Sequence, residues 1–415
     1  MRTSSVLVPL EAWAYSSPFV RRSGFHVDLG LLADALIYYD HVYIVFSTPE
    51  QLAEVLRWFQ DSSVLDTFLG MLADDVVTVY RYDFFTGATW ANDSWSIWNL
   101  QGPRDLDPID ELDRLVLERP QVRNALGSKA RIRSFRRAVH DHAVIVESDR
   151  FGSAIEESRK DMLDTEPVAR AVQALYDEVY RHLRVGEPPE VHVTAVKNGN
   201  GKVMLNLGVD LTKLANMLGP RVDLRDSSMI AGFGQVNHLL LSASDLRADL
   251  MLPNPLATMA SAKLNQGFEH ADKLRRIVSE LVLRVDFPDV RNLVRSGRLD
   301  ARTVLKLRSK AGRFRAWLQD EASMDADAVL AYHGEMARES RVSGGTRLLH
   351  LFGTIGGSVL AGTIGAAVGS GPVGGAAGGL AGGATQYLVE ILQGLNREWR
   401  PAVFGDWARA FIQRR

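Results

Sequence analysis

The chain has no cysteine among its 415 residues. That absence excludes disulfides, thiolate nucleophiles and cysteine-ligated zinc, but it does not choose a compartment. Charge of one sign is missing as well: 48 Lys and Arg stand against 50 Asp and Glu, for a net −2. A chain so balanced carries no global field for nucleic acid, and no strong nucleic-acid signal is expected. The N-terminal apolar run Val6-Leu7-Val8-Pro9-Leu10 is too short for a signal peptide, which predicts a cytoplasmic start.

Signature motifs are also lacking. There is no Gly-x-Ser-x-Gly, His-Glu-x-x-His or kinase set. Gly199-Asn200-Gly201-Lys202 does not have phosphate-loop spacing, and Gly232-Phe233-Gly234 is no dinucleotide fingerprint. No cofactor is expected. What remains is ordinary globular material, 46% hydrophobic and 24% charged, long enough for two or three domains.

The pattern predicts an α+β body in two domains, 1–150 and 151–340, followed by a distinct segment at 341–415. His41-Val42-Tyr43-Ile44-Val45-Phe46 is β-branched and aromatic, a buried strand. Thr48-Pro49-Glu50-Gln51 then starts a helix to about Gln60 that buries Leu52, Val55, Leu56 and Phe59 and exposes Glu54 and Arg57. A second helix, Ser63–Ala73, leads to a strand at Val76–Tyr82. Strand, two helices, strand is close to a winged-helix arrangement, but the second helix has no basic residue for recognition. Residues 84–108 are aromatic and turn-rich, and a basic stretch follows: Lys129, Arg131, Arg133, Arg136 and Arg137. A helix at Pro167–Arg184 and a hairpin built on 191–196 and 203–207 come next. Further helices are expected at Leu211–Leu218, Leu256–Arg284, Thr303–Glu321 and Ala326–Glu339, with a short one from Pro288.

Chemistry-bearing candidates are sparse. His140 and His142 would share a face if extended, with Glu147 and Asp149 nearby, but a metal needs a third ligand that the sequence does not mark. Asp289, Asp300 and the basic run Lys306, Arg308, Lys310, Arg313 and Arg315 suit phosphates or lipid headgroups, or simply one solvated helix face.

The distinctive segment lies near the C-terminus. The 42 residues between Arg347 and Glu390 carry no formal charge, and thirteen of the chain's 35 glycines fall between Gly353 and Gly383. Gly369-Ser370-Gly371-Pro372 splits the run into two helices, 346–369 and 373–394. Each would be roughly 33–36 Å long, against a hydrocarbon core of about 30 Å. Gly353, Gly357, Ala361, Gly365 and Gly369 recur every fourth residue, as do Gly371, Gly375, Gly379 and Gly383. Such rows let helix backbones approach closely. Each exposed helical glycine costs about 1 kcal/mol relative to alanine, so a solvated hairpin would not hold. A membrane-embedded or membrane-inserting glycine zipper is the leading expectation, with a hairpin buried in protein or a linker as alternatives.

Helix one has nine large apolar residues, whereas helix two has only Leu380 between Gly374 and Gln386. Insertion is therefore conditional, and the second helix calls for a partner, which predicts a homo-oligomer. Over residues 346–394 this resembles the hydrophobic hairpins of colicin-type pore-forming domains. Arg397 and Arg400, with Trp399, Phe404, Trp407 and Phe411, supply interfacial anchors or else dock on the body. Arginines on both flanks place both ends on the cytoplasmic side of an inner membrane. The functional expectation is a bacterial-type membrane effector: a sensing body, answering to an unknown protein trigger, controls a hairpin that oligomerises in lipid and permeabilises it. A toxin or anti-phage defence role fits. A soluble or peripheral scaffold and an enzyme of unrecognised family are the alternatives.

Overall fold

A computed structural model describes residues 4–10, 27–46, 49–91, 94–101, 119–147, 150–197, 203–218, 225–252, 256–257, 260, 289–318 and 412. The glycine hairpin at 346–394, its anchors Arg397, Trp399, Arg400, Phe404, Trp407 and Phe411, and the helices expected within 256–284 and 326–339 lie largely or wholly outside these residues. Among the described residues, no helix is long and apolar enough to cross a membrane. The chain divides into two compact units, one of residues 1–271 with 289–309, the other of 272–288 with 310–415. Residue 150, expected as a domain boundary, falls inside the first unit.

That unit mixes helices and sheets, as the sequence predicts. Its first sheet is wholly parallel: β1 (Ser5–Pro9), β2 (His41–Val45), β3 (Val77–Tyr82), β6 (Val144–Val146) and β9 (Asp249–Leu250), in the order β6-β3-β2-β1-β9. Val6, Leu7, Val8, Val42, Ile44, Val77 and Val79 are all buried, so both faces of the central strands are covered. Helix α1 (Leu29–Tyr38) joins β1 to β2, and α2 (Pro49–Trp58) and α3 (Ser62–Ala73) join β2 to β3. The strand–helix–helix–strand unit is thus a parallel crossover, not a winged helix. Glu54 is buried, contrary to expectation. It lies on α2, which packs on α4 (Pro120–Leu126), so its helix face is covered from outside as well as from the core. Beside α4, α5 (Lys129–His142) packs on α3 and β3.

The second sheet is antiparallel, β4-β5-β8-β7, from β4 (Phe84–Ala91), β5 (Ser94–Gln101), β7 (Thr194–Lys197) and β8 (Val203–Asn206). The stretch expected as turn-rich is therefore a hairpin paired over its whole length, Phe84 to Gln101. Helices α6 (Ser153–Asp161), α7 (Thr165–Leu183), α8 (Leu211–Leu218) and α9 (Asp226–Leu246) accompany this sheet; α7 touches α6 and α8, and α9 packs on α6, β4 and β1. Then α10 (Val290–Arg295) and α11 (Ala301–Lys310) return to the first sheet's side of the unit; α12 (Gly312–Leu318) belongs to the second unit. The single helix expected at 303–321 is two.

Two helical glycines permit close approach of a neighbouring element. A Cβ on Gly30 of α1 would lie 2.5 Å from the Arg291 carbonyl oxygen on α10, and one on Gly234 of α9 would lie 2.5 Å from Thr86 Cγ2 on β4. On α3, Gly70 has nothing within 4 Å of that position. Gly30→Ala and Gly234→Ala should each lose about 1–3 kcal/mol through overpacking, whereas Gly70→Ala should gain about 0.5–1 kcal/mol from helix propensity and a stiffer unfolded chain. Denaturant midpoints of the three variants measure this, and a destabilised Gly70→Ala would contradict it.

Candidate functional site

Three polar clusters sit in the first unit. The first grips α1 at both ends. Asp28 caps the helix by accepting the Leu31 N–H at 3.0 Å. The same carboxylate accepts from Arg295 Nε at 3.0 Å, from a terminal Arg295 nitrogen and from Arg291 at 3.1 Å. Burial alone would raise this carboxyl, but Arg291 and Arg295 overcome that and hold it well below the usual carboxylate range. Asp34, further along α1, is pushed up to about 7 by burial; Arg291 and Arg295 oppose the rise, and Asp289 and Asp28 add to it. At the far end of α1, Arg308 on α11 donates to the Leu36 carbonyl, to Tyr39 at 2.8 Å and to Asp40 at 2.8 Å. A guanidinium on the last carbonyls satisfies groups that helix geometry leaves open, and it sits at the negative end of the dipole.

The second cluster is a seam between β3, the β4–β5 hairpin and α9. Tyr82 Oη and Ser242 Oγ are 2.7 Å apart. Burial pushes both phenols on this strand face upward, Tyr80 to about 12. One turn before Ser242, the His238 ring lies 4.7 Å from Phe84 and 5.9 Å from Tyr82. Asn99 Oδ1 accepts from Thr86 Oγ1 at 3.0 Å, which leaves Asn99 Nδ2 facing His238 Nε2 at 3.2 Å. Nδ2 can only donate, so Nε2 accepts and the imidazole proton is assigned to Nδ1. Nδ1 meets no hydrogen-bond partner among the described residues. His238 is 1% exposed, and desolvation lowers its pKa to about 4. Beside it, Asn237 Nδ2 donates to Ser158 at 2.9 Å and Asp161 at 2.8 Å, tying α9 to α6. The seam joins β3, the β4–β5 hairpin, α6 and α9 by directional bonds in a buried interior.

The third cluster lies where β2 and β3 begin. Thr78 Oγ1 donates to Asp75 Oδ1 at 2.5 Å and is 3.0 Å from His41 Nε2. With its proton on Asp75, the hydroxyl accepts from His41, a bridge rather than an activated nucleophile. Thr78 is buried, and Asp75 holds φ at +54°.

Of the residues singled out in the sequence, His140 and His142 fall on the last turn of α5. Two residues apart on a helix they are about 200° apart, so they do not share the face an extended chain would have given them. His142 Nδ1 lies 4.0 Å from Asp75, and His140 is exposed. No group of three His, Asp or Glu that could hold a metal occurs among the described residues. Asp289 caps α10, Asp300 caps α11, and Arg308 is occupied on α1. Gly232 and Gly234 belong to α9. Sequence reading missed Asp28, Arg291, Arg295, Asn99, His238 and Ser242, because no motif marks pairings that span up to 267 residues. Compared with family models, curated proteins and solved structures, the chain has no match.

Asp28→Asn should cost about 3–5 kcal/mol by leaving two partly buried guanidiniums without their anion. The exposed pair Arg302–Asp61 is the control: Arg302→Gln should cost under about 1 kcal/mol. Urea melts of both variants provide the measurement.

The pH dependence separates His238 from Asp34. His238 stays neutral in the fold down to about 4, whereas the unfolded imidazole charges below its ordinary value of about 6.5. Its burial therefore removes stability as pH falls between those values, on the order of 3 kcal/mol. Asp34 works the other way: with a folded pKa of about 7, it removes stability as pH rises from about 4 to neutrality. His238→Leu should flatten the acid limb of a stability–pH curve, and Asp34→Asn should raise stability at pH 8 relative to pH 5. Unchanged slopes in either variant would contradict the assignment.

Proposed function

We propose that this chain is a membrane-active effector in which the α/β body controls a C-terminal glycine-zipper hairpin that oligomerises and permeabilises a membrane. The observation that carries it is the uncharged 42-residue run between Arg347 and Glu390, with small residues at every fourth position and arginines on both sides. The topology supports a sensing role for the body. Strand order reverses at β1, with β2 on one side and β9 on the other, and open parallel sheets bind ligands outside the carboxyl ends of strands at such a reversal. Chain path supports control: Arg308, anchored on α1, is two residues before the chain re-enters the second unit at Lys310. A growth-arrest toxin or anti-phage role suits such a device.

A second reading, a peripheral scaffold that uses the hairpin to oligomerise, draws on one observation. Leu100 (62% exposed), Val196 (55%) and Met204 (36%) lie on one face of the antiparallel sheet, an apolar surface suited to a protein partner.

Purified protein should release dye from liposomes of bacterial lipid, and Gly357→Leu and Gly379→Leu should each reduce release at least tenfold. No release under any lipid or trigger condition sinks the effector reading. Carbonate-washed membranes should retain the chain; its full recovery in the wash, with oligomers lost in the glycine variants, selects the scaffold.

A further inference from the structure

The basic stretch noted in the sequence is claimed neither by the core nor by the proposed hairpin mechanism. Between Lys129 and Arg137 five cations occur with no acid, in a chain of net charge −2. The structure places this run on α5, with Phe135, Ala138 and Val139 buried on one side. Arg131 leaves the run, turning inward to bind Asp66 at 2.7 Å and the Ser62 carbonyl at 3.0 Å. Lys129, Arg133, Arg136, Arg137 and His140 are all exposed. At 3.6 residues per turn these five fall within about 100° of arc and along roughly 16 Å of helix, so they form one straight stripe opposite the buried side.

Like charges crowd the stripe. Lys129–Arg133 and Arg133–Arg137 are like-charge pairs at i,i+4, which destabilise a helix. Its first turn holds no acidic residue, so Lys129 sits uncompensated at the positive end of the dipole. Asp141 answers only Arg137, at 3.6 Å. Lys129 and Arg133 form no ion pair among the described residues, nor do the exposed Arg119 and Arg123 at the adjoining α4. Along one flank of the stripe the exposed side chains are small, Ala130 and Ser134. A straight row of cations with a low flank fits an extended anionic plane. It offers no Asn or Gln for reading base edges.

We propose that the exposed face of α5 is a docking surface for anionic phospholipid headgroups, which brings the body to the membrane before the hairpin engages. The inference rests on the membrane reading above and adds to it a surface and a lipid class. Polybasic segments near an anionic leaflet gain about fivefold in partitioning per cation, and salt screens the attraction.

Full-length protein is sedimented with vesicles of phosphatidylcholine alone or with about a third phosphatidylglycerol, at low and high salt. Binding should need the anionic lipid and fall with salt. Lys129→Gln/Arg133→Gln should weaken the salt-sensitive binding at least tenfold with an unchanged melting temperature, whereas Lys213→Gln/Arg298→Gln, exposed but off the stripe, should stay within twofold of wild type. Wild-type binding by the stripe variant overturns the proposal, as does absence of salt-sensitive binding to the anionic vesicles. Tighter stripe-dependent binding to a DNA duplex or single-stranded RNA overturns it too and reassigns the surface to nucleic acid. Gly357→Leu/Gly379→Leu should dock normally, so loss of dye release with docking intact counts against the hairpin mechanism alone.

Discussion

The Asp28 carboxylate is the constraint around which the parallel sheet is closed. It caps α1 from its N-terminal end while accepting from two arginines more than 260 residues away in sequence. Such a group is costly to bury and strongly destabilising to break, so it favours one register of α10 on α1 over its neighbours. Gly30 enforces the same register sterically, because the α10 backbone passes where a side chain would stand. At the other end, Arg308 covers carbonyls that helix geometry leaves open. Charge complements the α1 dipole at both termini, acid at the start and guanidinium at the end, so the two contacts act in the same sense.

A second constraint runs along α9. Its 21 residues touch the parallel sheet, the antiparallel hairpin and α6, and each contact uses a different chemistry. Gly234 lets the hairpin approach; His238 and Ser242, one turn apart, bond to Asn99 and Tyr82; Asn237 reaches α6. A dry seam of this kind selects a single packing of the two sheets, because a slip would leave buried polar groups unsatisfied. The orphaned His238 Nδ1 shows how little slack that selection leaves.

What the sequence made legible follows from local pattern. The strand at His41–Val45, the crossover helices, the strand at Val77–Tyr82 and the pairing of β7 with β8 all carry strong period or turn signals, and the structure places them within a residue or three of expectation. The β4–β5 hairpin was obscured because its aromatics lie on both faces: Trp90 opposes Trp95, and Trp98 lies over Gly87. Helix α9 was obscured by Gly232 and Gly234, which lower propensity and read as loop until the hairpin they admit is known. Residue 150 lies inside one unit for a topological reason. Each sheet takes strands from both sides of it, β9 beside β1 and β8 beside β5. The clusters were least legible of all, since an Asp and an Arg that meet across the fold leave no mark on spacing.

These two constraints bear on how the chain is divided. The first unit holds α1 through Asp28 and Arg308 and joins its two sheets through the α9 seam, all with residues up to Ser309. Its stability therefore has sources of its own, apart from any that the glycine-rich segment supplies. Glycine rows have the opposite character: their helices gain little from propensity and hold only where another backbone packs against them. The strap α10–α11 both clamps α1 and carries the chain out of the first unit after Ser309. The Asp28 contacts and the α9 seam share no residue, so the two constraints act on the first unit separately.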